Sequence, residues 1–276
     1  MLTDYERYGI SLMKKTFALI LTAVMLLTLA SCGTKDAGTL YAEAMEKTGS
    51  LEYMHAKINM DYSIEVSGVT MDMPMTIETR IHNSAEAPVM DMDMTVSMMG
   101  MEVATAAYYA DNTAYTEAMG TKTKVTMDPA EFKKLFEESN EVAFAKEDFE
   151  GVEVTEEDGK YSFSTVISGE AYTEQLMESV MSGLMENLGL SEADAADMNI
   201  TVSDIDLSVV INEDGYFEKY DMIFDMEITV SEELSAVLGS GNMKFHCDMK
   251  TEYINPGESF TIEAPADLDS YTEAAA

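Results

Sequence analysis

From Met54 to Val66 every second residue is apolar or aromatic (Met54, Ala56, Ile58, Met60, Tyr62, Ile64, Val66), and His55, Lys57, Asn59, Asp61, Ser63 and Glu65 alternate with them. The alternation returns in Met71-Met73-Met75-Ile77, against Asp72, Pro74, Thr76 and Glu78, and again in Met90-Met92-Met94-Val96-Met98, against Asp91, Asp93, Thr95 and Ser97. Successive side chains of a strand point to opposite faces, so these runs predict antiparallel strands with one apolar and one wetted face. Pro74 cannot donate to a ladder and predicts a sheet edge or a bulge. Residues 108–127 read as further short strands turning at Asp111-Asn112, and 152–167 as a hairpin around Asp158-Gly159. Ile205-Leu207-Val209-Ile211 turns at Asp214-Gly215 into Tyr216-Tyr220-Met222-Phe224-Met226-Ile228, and Met243-Phe245-Cys247-Met249-Tyr253 is the last strand.

Helical periodicity interrupts this pattern in three places. Leu40, Tyr41, Ala44 and Met45 share one face, with Gly49 as a stop. Asp128-Pro129-Ala130-Glu131 is a helix start, Asp as N-cap and Pro in the first turn, ahead of a Phe132-Leu135-Phe136 stripe. Tyr172, Leu176, Val180, Leu184 and Leu188 recur every fourth residue up to Gly189. A sheet apolar on one side must be covered, and these helices are the available cover. The expectation is an α+β fold: a curved antiparallel sheet, an open half-barrel, with about three helices on its concave face.

Composition then narrows the function. The 276 residues carry 52 Asp+Glu against 16 Lys+Arg, a formal net charge of -36, with 46% hydrophobic residues. A core is affordable, but binding of nucleic acid is disfavoured because neutralising phosphate needs lysine and arginine. Near the amino end Met13-Lys14-Lys15 precedes an apolar run from Phe17 to Ala30 and then Ser31-Cys32, the order of a secretory signal. Fourteen residues at about 1.5 Å each reach about 21 Å, short of a bilayer core of about 30 Å. Leu29-Ala30-Ser31-Cys32 resembles the lipobox of bacterial lipoproteins, which implies cleavage before Cys32 and a diacylglyceryl group on its sulfur. The expected organisation is a signal peptide over 1–31 with Met13 as its true start, a lipidated terminus and short linker over 32–37, one domain over 38–265 and a loose tail over 266–276.

With that leader, the opening helix, the Met-Asp-Met strands and the segment Tyr108-Tyr109-Ala110-Asp111-Asn112-Thr113-Ala114-Tyr115, the chain resembles uncharacterised Gram-positive lipoproteins similar in fold to the LolA/LppX carriers. The resemblance implies an unclosed antiparallel barrel with a helical lid and a hydrophobic cavity that takes acyl chains. It transfers no binding residues position by position.

Methionine is abundant, 25 residues in all, and much of it falls on the apolar phase of the strands. Three readings compete. Core packing accounts for part of it, each buried side chain contributing about 1.5–3 kcal/mol. An adaptable cavity, in which unbranched thioethers repack around a ligand, accounts for the excess over Leu and Val. Cu(I) is the third: thioethers suit it, but one strand's Met triplet spans too far to converge on an ion, so neighbouring strands would have to supply the ligands. The candidate cavity lining is Met60, Tyr62, Met73, Met75, Met92, Met94, Tyr220, Met222, Phe224 and Phe245, with Leu176, Val180 and Leu184 from the lid.

His55, His82 and His246 lie on the polar phase and are expected in solvent. No nucleophile elbow, phosphate loop or zinc helix occurs, Asn212-Glu213-Asp214-Gly215 is a turn rather than a calcium loop, and no enzyme and no cofactor is expected. Asp72, Asp91, Asp93, Asp221, Asp225 and Glu227 line the outward face and favour neutral over anionic lipid. The sequence thus points to a monomeric lipoprotein on the outer face of the cell membrane that binds a lipid, glycolipid or apolar metabolite. The alternative is a filled core with an acidic surface that recruits a basic protein partner or senses the envelope.

Overall fold

Alternating sequence becomes alternating burial once neighbouring strands register. The computed structural model describes residues 35–98, 100–138, 143–173, 198–231, 235 and 241–274. The predicted helix stripe Leu176, Val180, Leu184 and Leu188, and the leader with Cys32, lie outside the described residues. Helix α1 (Ala37–Gly49) leads into β1 (Tyr53–Val66), β2 (Val69–His82), β3 (Val89–Met98), β4 (Met101–Ala110), β5 (Thr113–Ala118) and β6 (Thr121–Thr126). Helix α2 (Pro129–Glu138) follows, then β7 (Thr155–Glu157), β8 (Lys160–Ile167), β9 (Met198–Val202), β10 (Ile205–Ile211), β11 (Phe217–Val230), β12 (Asn242–Tyr253) and β13 (Thr272–Glu273).

These strands form a single open sheet in the order β13-β6-β5-β4-β3-β2-β1-β12-β11-β10-β8-β7, with β9 also on β11. Every pairing is antiparallel except β13 on β6. The turn chemistry follows the sequence: Asp111-Asn112 and Asp158-Gly159 each place two successive residues at positive φ, as two-residue hairpin turns require. Asp128 caps α2 by accepting the amides of Ala130 and Glu131, both at 2.9 Å. Pro74 lies just past Met75, the last β2 residue paired with β3, so its missing amide faces a stretch of edge.

Directly opposed residues of antiparallel strands share a face, so the ladders sort the side chains. One face carries Met60, Met75, Met222 and Met249; the reverse carries Asp61, Asp72, Asp221 and Asp248. The described helices lie on the apolar face, whereas the end of the chain crosses the polar one, Phe260 packing on Tyr53 and His55 and Tyr271 on Tyr115. Tyr41 of α1 packs on Phe217 and Tyr220, and Phe132 of α2 stacks on Tyr109 at 4.2 Å. Residues 169–173 are helical and bring Tyr172 edge-on to Phe144 at 5.0 Å. The predicted half-barrel with helices on one face is the observed architecture.

The tail corrects an expectation. Residues 266–274 are docked rather than loose: Tyr271 is buried edge-on against Tyr115 at 5.4 Å, Lys122 pairs with Asp267, and β13 extends the sheet beside β6. Tyr271 is the buried anchor of a polar segment that the Lys122 pair and the β13 ladder hold in register.

Between β9 and β10 an extra residue bulges out. Asp206 opposes Ile223 but Val202 opposes Met226, and Ser203 repairs the gap by accepting the Asp225 amide on Oγ at 2.8 Å. Gly169 packs onto this bulge so closely that a Cβ there would sit 1.8 Å from the Ser203 carbonyl oxygen. Gly169→Ala is therefore expected to cost at least about 1–3 kcal/mol of overpacking, read as a lower urea midpoint. An unchanged midpoint would refute the close approach.

Candidate functional site

Along β11, β12, β1 and β2 the ladders stack the apolar side chains in rows. Met222, Met249, Met60 and Met75 form one row, and Phe224, Cys247, Tyr62 and Met73 the next. Tyr220, Thr251, Ile58, Ile77 and Met94 lie on the opposite flank of the methionine row, and Met92 follows beyond, opposite Thr79. Phe245 faces Met226 and Ile64. All ten strand residues of the expected lining thus share one face, whereas Leu176, Val180 and Leu184 lie outside the described residues.

That face is divided by depth. Over β8 to β12 its depth is filled: Tyr41, Phe217, Ile205 and Ile228 are almost fully buried, Phe245 is buried with them, and Tyr62, Tyr220, Met222 and Phe224, themselves half-buried, pack along the edge of this core. Over β1 to β3, Met60, Met73, Met75, Met92 and Met94 are only half-buried. The aromatic end rests on Tyr41, whose ring stacks on Phe149 at 4.6 Å and lies 5.8 Å from Phe217. Its hydroxyl accepts the Phe144 amide and the Tyr220 hydroxyl. Sequence periodicity missed Phe144, in an extended stretch, and Phe149, which ends a single 3-10 turn over Lys146–Phe149, because neither segment is long enough to show a repeat. Tyr253 was in phase, but nothing in the sequence showed that α1 would fill that end.

Electrostatics follow burial. Desolvation pushes the Tyr62 phenol up to about 12 and raises Tyr41, Tyr220 and Tyr253. Burial, aided by the hydrogen bond to Asp148, pushes Tyr172 up to about 12 as well. A phenol raised in the folded state but free to ionise near 10 when unfolded leaves stability intact below pH 10 and erodes it as pH rises towards 12. The unfolding midpoint should hold between pH 8 and 9.5 and fall steeply by pH 11, with phenolate absorbance appearing together with unfolding. Phenolate appearing well before unfolding would contradict this. The Cys247 thiol, also pushed up to about 11 by burial, stays protonated.

The polar face is a network rather than a bare acidic field. His55 bonds Glu78 at 2.9 Å, and Arg80 bridges Glu78 and Asp91, the latter at 3.0 Å. Burial alone would raise the Glu78 carboxyl, but the His55 hydrogen bond and the charges of Arg80 and Lys57 hold it below its ordinary value. The expectation of solvated histidines is corrected here. His246 is exposed, paired with Asp225 at 2.8 Å, but His55 and His82 are half-buried, His82 stacking on Tyr53 at 4.4 Å. Two shallow grooves, of about 520 and 560 Å³, lie elsewhere, one around Asp225, Glu227 and Lys244 and one along β3 to β5. They touch the expected lining only at Phe245 and Met94. Asn212 Oδ1 accepts the amides of Asp214 and Tyr216, which makes the acidic turn a self-satisfied loop.

Comparison with solved structures finds lipoprotein LppX of Mycobacterium tuberculosis at 10% identity and TM-score 0.36, covering 82% of this chain and 100% of that one. LprF of Mycobacterium bovis aligns at 14% identity and TM-score 0.35, covering 83% and 97%. A LolA superfamily protein of Nitrosomonas europaea aligns at 7% identity and TM-score 0.22, covering 82% and 95%. No curated protein matches the sequence. A family model described as a family of unknown function, DUF6612, matches residues 36–271, almost the whole folded chain, and the chain belongs to that family.

Proposed function

We propose that the protein is exported, tethered to the outer face of the cell membrane through a diacylglyceryl group on Cys32, and binds a hydrophobic ligand along the methionine-lined part of its apolar face. The ligand class is a neutral lipid, a glycolipid or an apolar metabolite. The observation that carries this reading is the half-buried state of Met60, Met73, Met75, Met92 and Met94, on a face whose neighbouring region is closed by aromatic packing. A contiguous apolar surface left partly uncovered marks a place where something apolar docks. Thioether chains adapt to varied shapes, and the carboxylates of the reverse face make anionic headgroups poor companions. Two acyl chains suffice to hold such an acidic protein at a membrane without a basic patch. Among the described residues no helix is long and apolar enough to cross a membrane.

Native mass spectrometry after mild extraction tests the proposal. It predicts a co-purifying apolar mass, or uptake of added neutral diacyl lipid in a one-to-one complex. A chain that emerges ligand-free and ignores added lipid would overturn it and favour a filled core with an acidic, partner-binding surface.

A further inference from the structure

We infer that the row Met222-Met249-Met60-Met75 is a thioether site for a soft monovalent metal ion, Cu(I) or Ag(I). The row crosses four neighbouring strands, each methionine directly opposite the next. Neighbouring strands lie about 4.8 Å apart. Two sulfurs flanking one ion at about 2.3 Å each, the length of a zinc–thiolate bond, stand up to about 4.6 Å apart. The cross-strand spacing therefore matches the span of a shared ion. A methionine triplet along one strand, such as Met71-Met73-Met75, cannot do this. Met249 and Met60 would hold the centre, and the flexible outer chains of Met222 and Met75 would lean in to complete a four-sulfur set.

The donor set selects the metal. Around the row, the same face of β11, β12, β1 and β2 presents Tyr220, Phe224, Tyr62, Thr251, Ile58, Ile77 and the buried thiol of Cys247, with no imidazole or carboxylate. Thioethers alone suit Cu(I) and its analogue Ag(I), whereas Ca²⁺ and Mg²⁺ require oxygen ligands. All four methionines are half-buried, so an ion can reach them. Thioethers carry no proton, so the affinity is flat with pH, unlike that of a histidine or thiolate site. The inference stands apart from the apolar-ligand proposal, because leucine in place of these methionines removes sulfur and keeps the surface apolar.

The test adds Ag(I), as nitrate in chloride-free buffer, to the full chain and follows the methionine methyl resonances together with bound mass. One ion per chain is expected, with shifts at Met60, Met75, Met222 and Met249. The double variant Met60→Leu/Met249→Leu should bind at least about tenfold more weakly, since even loss of a supporting partner of a ligand costs about 10–100-fold. The control Met54→Leu/Met90→Leu, on the same face but away from the row, should bind as the parent does. Met-to-Leu exchange is volume-conserving, and Met75→Leu/Met222→Leu gives a second reading should the first pair misfold. No bound ion, unchanged binding in both row variants, shifts at other methionines, or an affinity that climbs between pH 5 and 8 would each overturn the inference.

Discussion

Replacing Tyr41 by alanine is expected to destabilise the fold by about 3–5 kcal/mol, the range for removing a large buried aromatic. The residue is 1% exposed and its ring meets Phe149, Phe217, Phe144 and Tyr220 within 6.5 Å. Other ties of α1 are smaller or exposed: Leu40 and Ala44 are buried, Thr48 Oγ1 accepts the Phe217 amide at 3.0 Å, and Lys47 reaches the Asp214 carbonyl and lies 4.4 Å over the Tyr216 ring. Tyr41→Phe separates packing from polarity. It keeps the ring contacts, leaves the Phe144 amide and the Tyr220 hydroxyl without their acceptor, and should cost about 1–3 kcal/mol. Equilibrium urea unfolding of both variants decides the matter. Equal losses would show that the hydroxyl, rather than the ring stack, holds α1 in place.

The second large effect concerns binding. Met92→Asp puts a carboxylate on the apolar face, and its desolvation against an apolar ligand costs several kcal/mol. Affinity for the neutral fluorophore N-phenyl-1-naphthylamine should fall by at least about 100-fold, equivalent to about 2.7 kcal/mol. Asp93, the next residue, points to the opposite face, and Asp93→Asn should leave the affinity within about twofold, a change below 0.5 kcal/mol. Fluorescence titration of the two variants at matched stability provides the comparison. Similar losses in both would mean that the fluorophore does not sit on the methionine face.

Much of this architecture was legible because period-two alternation is a direct record of which face each residue occupies. The phase of Met60, Met75 and Met249 suffices to put them on one face, and the sequence carries that phase; that they stand directly opposite one another is set by the register of the ladders. Turn residues and the Asp128 cap were readable for the same reason: each is a local demand on backbone geometry. What escaped depends on contacts between distant segments. The insertion of Phe144 and Phe149 beneath Tyr41 has no periodicity behind it. The docking of Tyr271 against Tyr115 rests on one aromatic in a polar stretch. The half-burial of His55 comes from Glu78 on the neighbouring strand and Phe260 near the chain's end. Which face each strand residue of the expected lining occupies was thus readable, but its depth was not, because burial is decided by where α1 and the segment around Phe144 and Phe149 settle.

The central claim is that a ligand lies against half-buried methionines while carboxylates line the other side of the sheet. The most direct measurement is methionine methyl NMR in the presence of a neutral diacyl lipid carrying a nitroxide on its acyl chain. Met60, Met73, Met75, Met92 and Met94 should broaden, and Met119, 82% exposed at a hairpin turn, should not. Broadening confined to Met119 and other surface methyls, or none at all, would contradict the account.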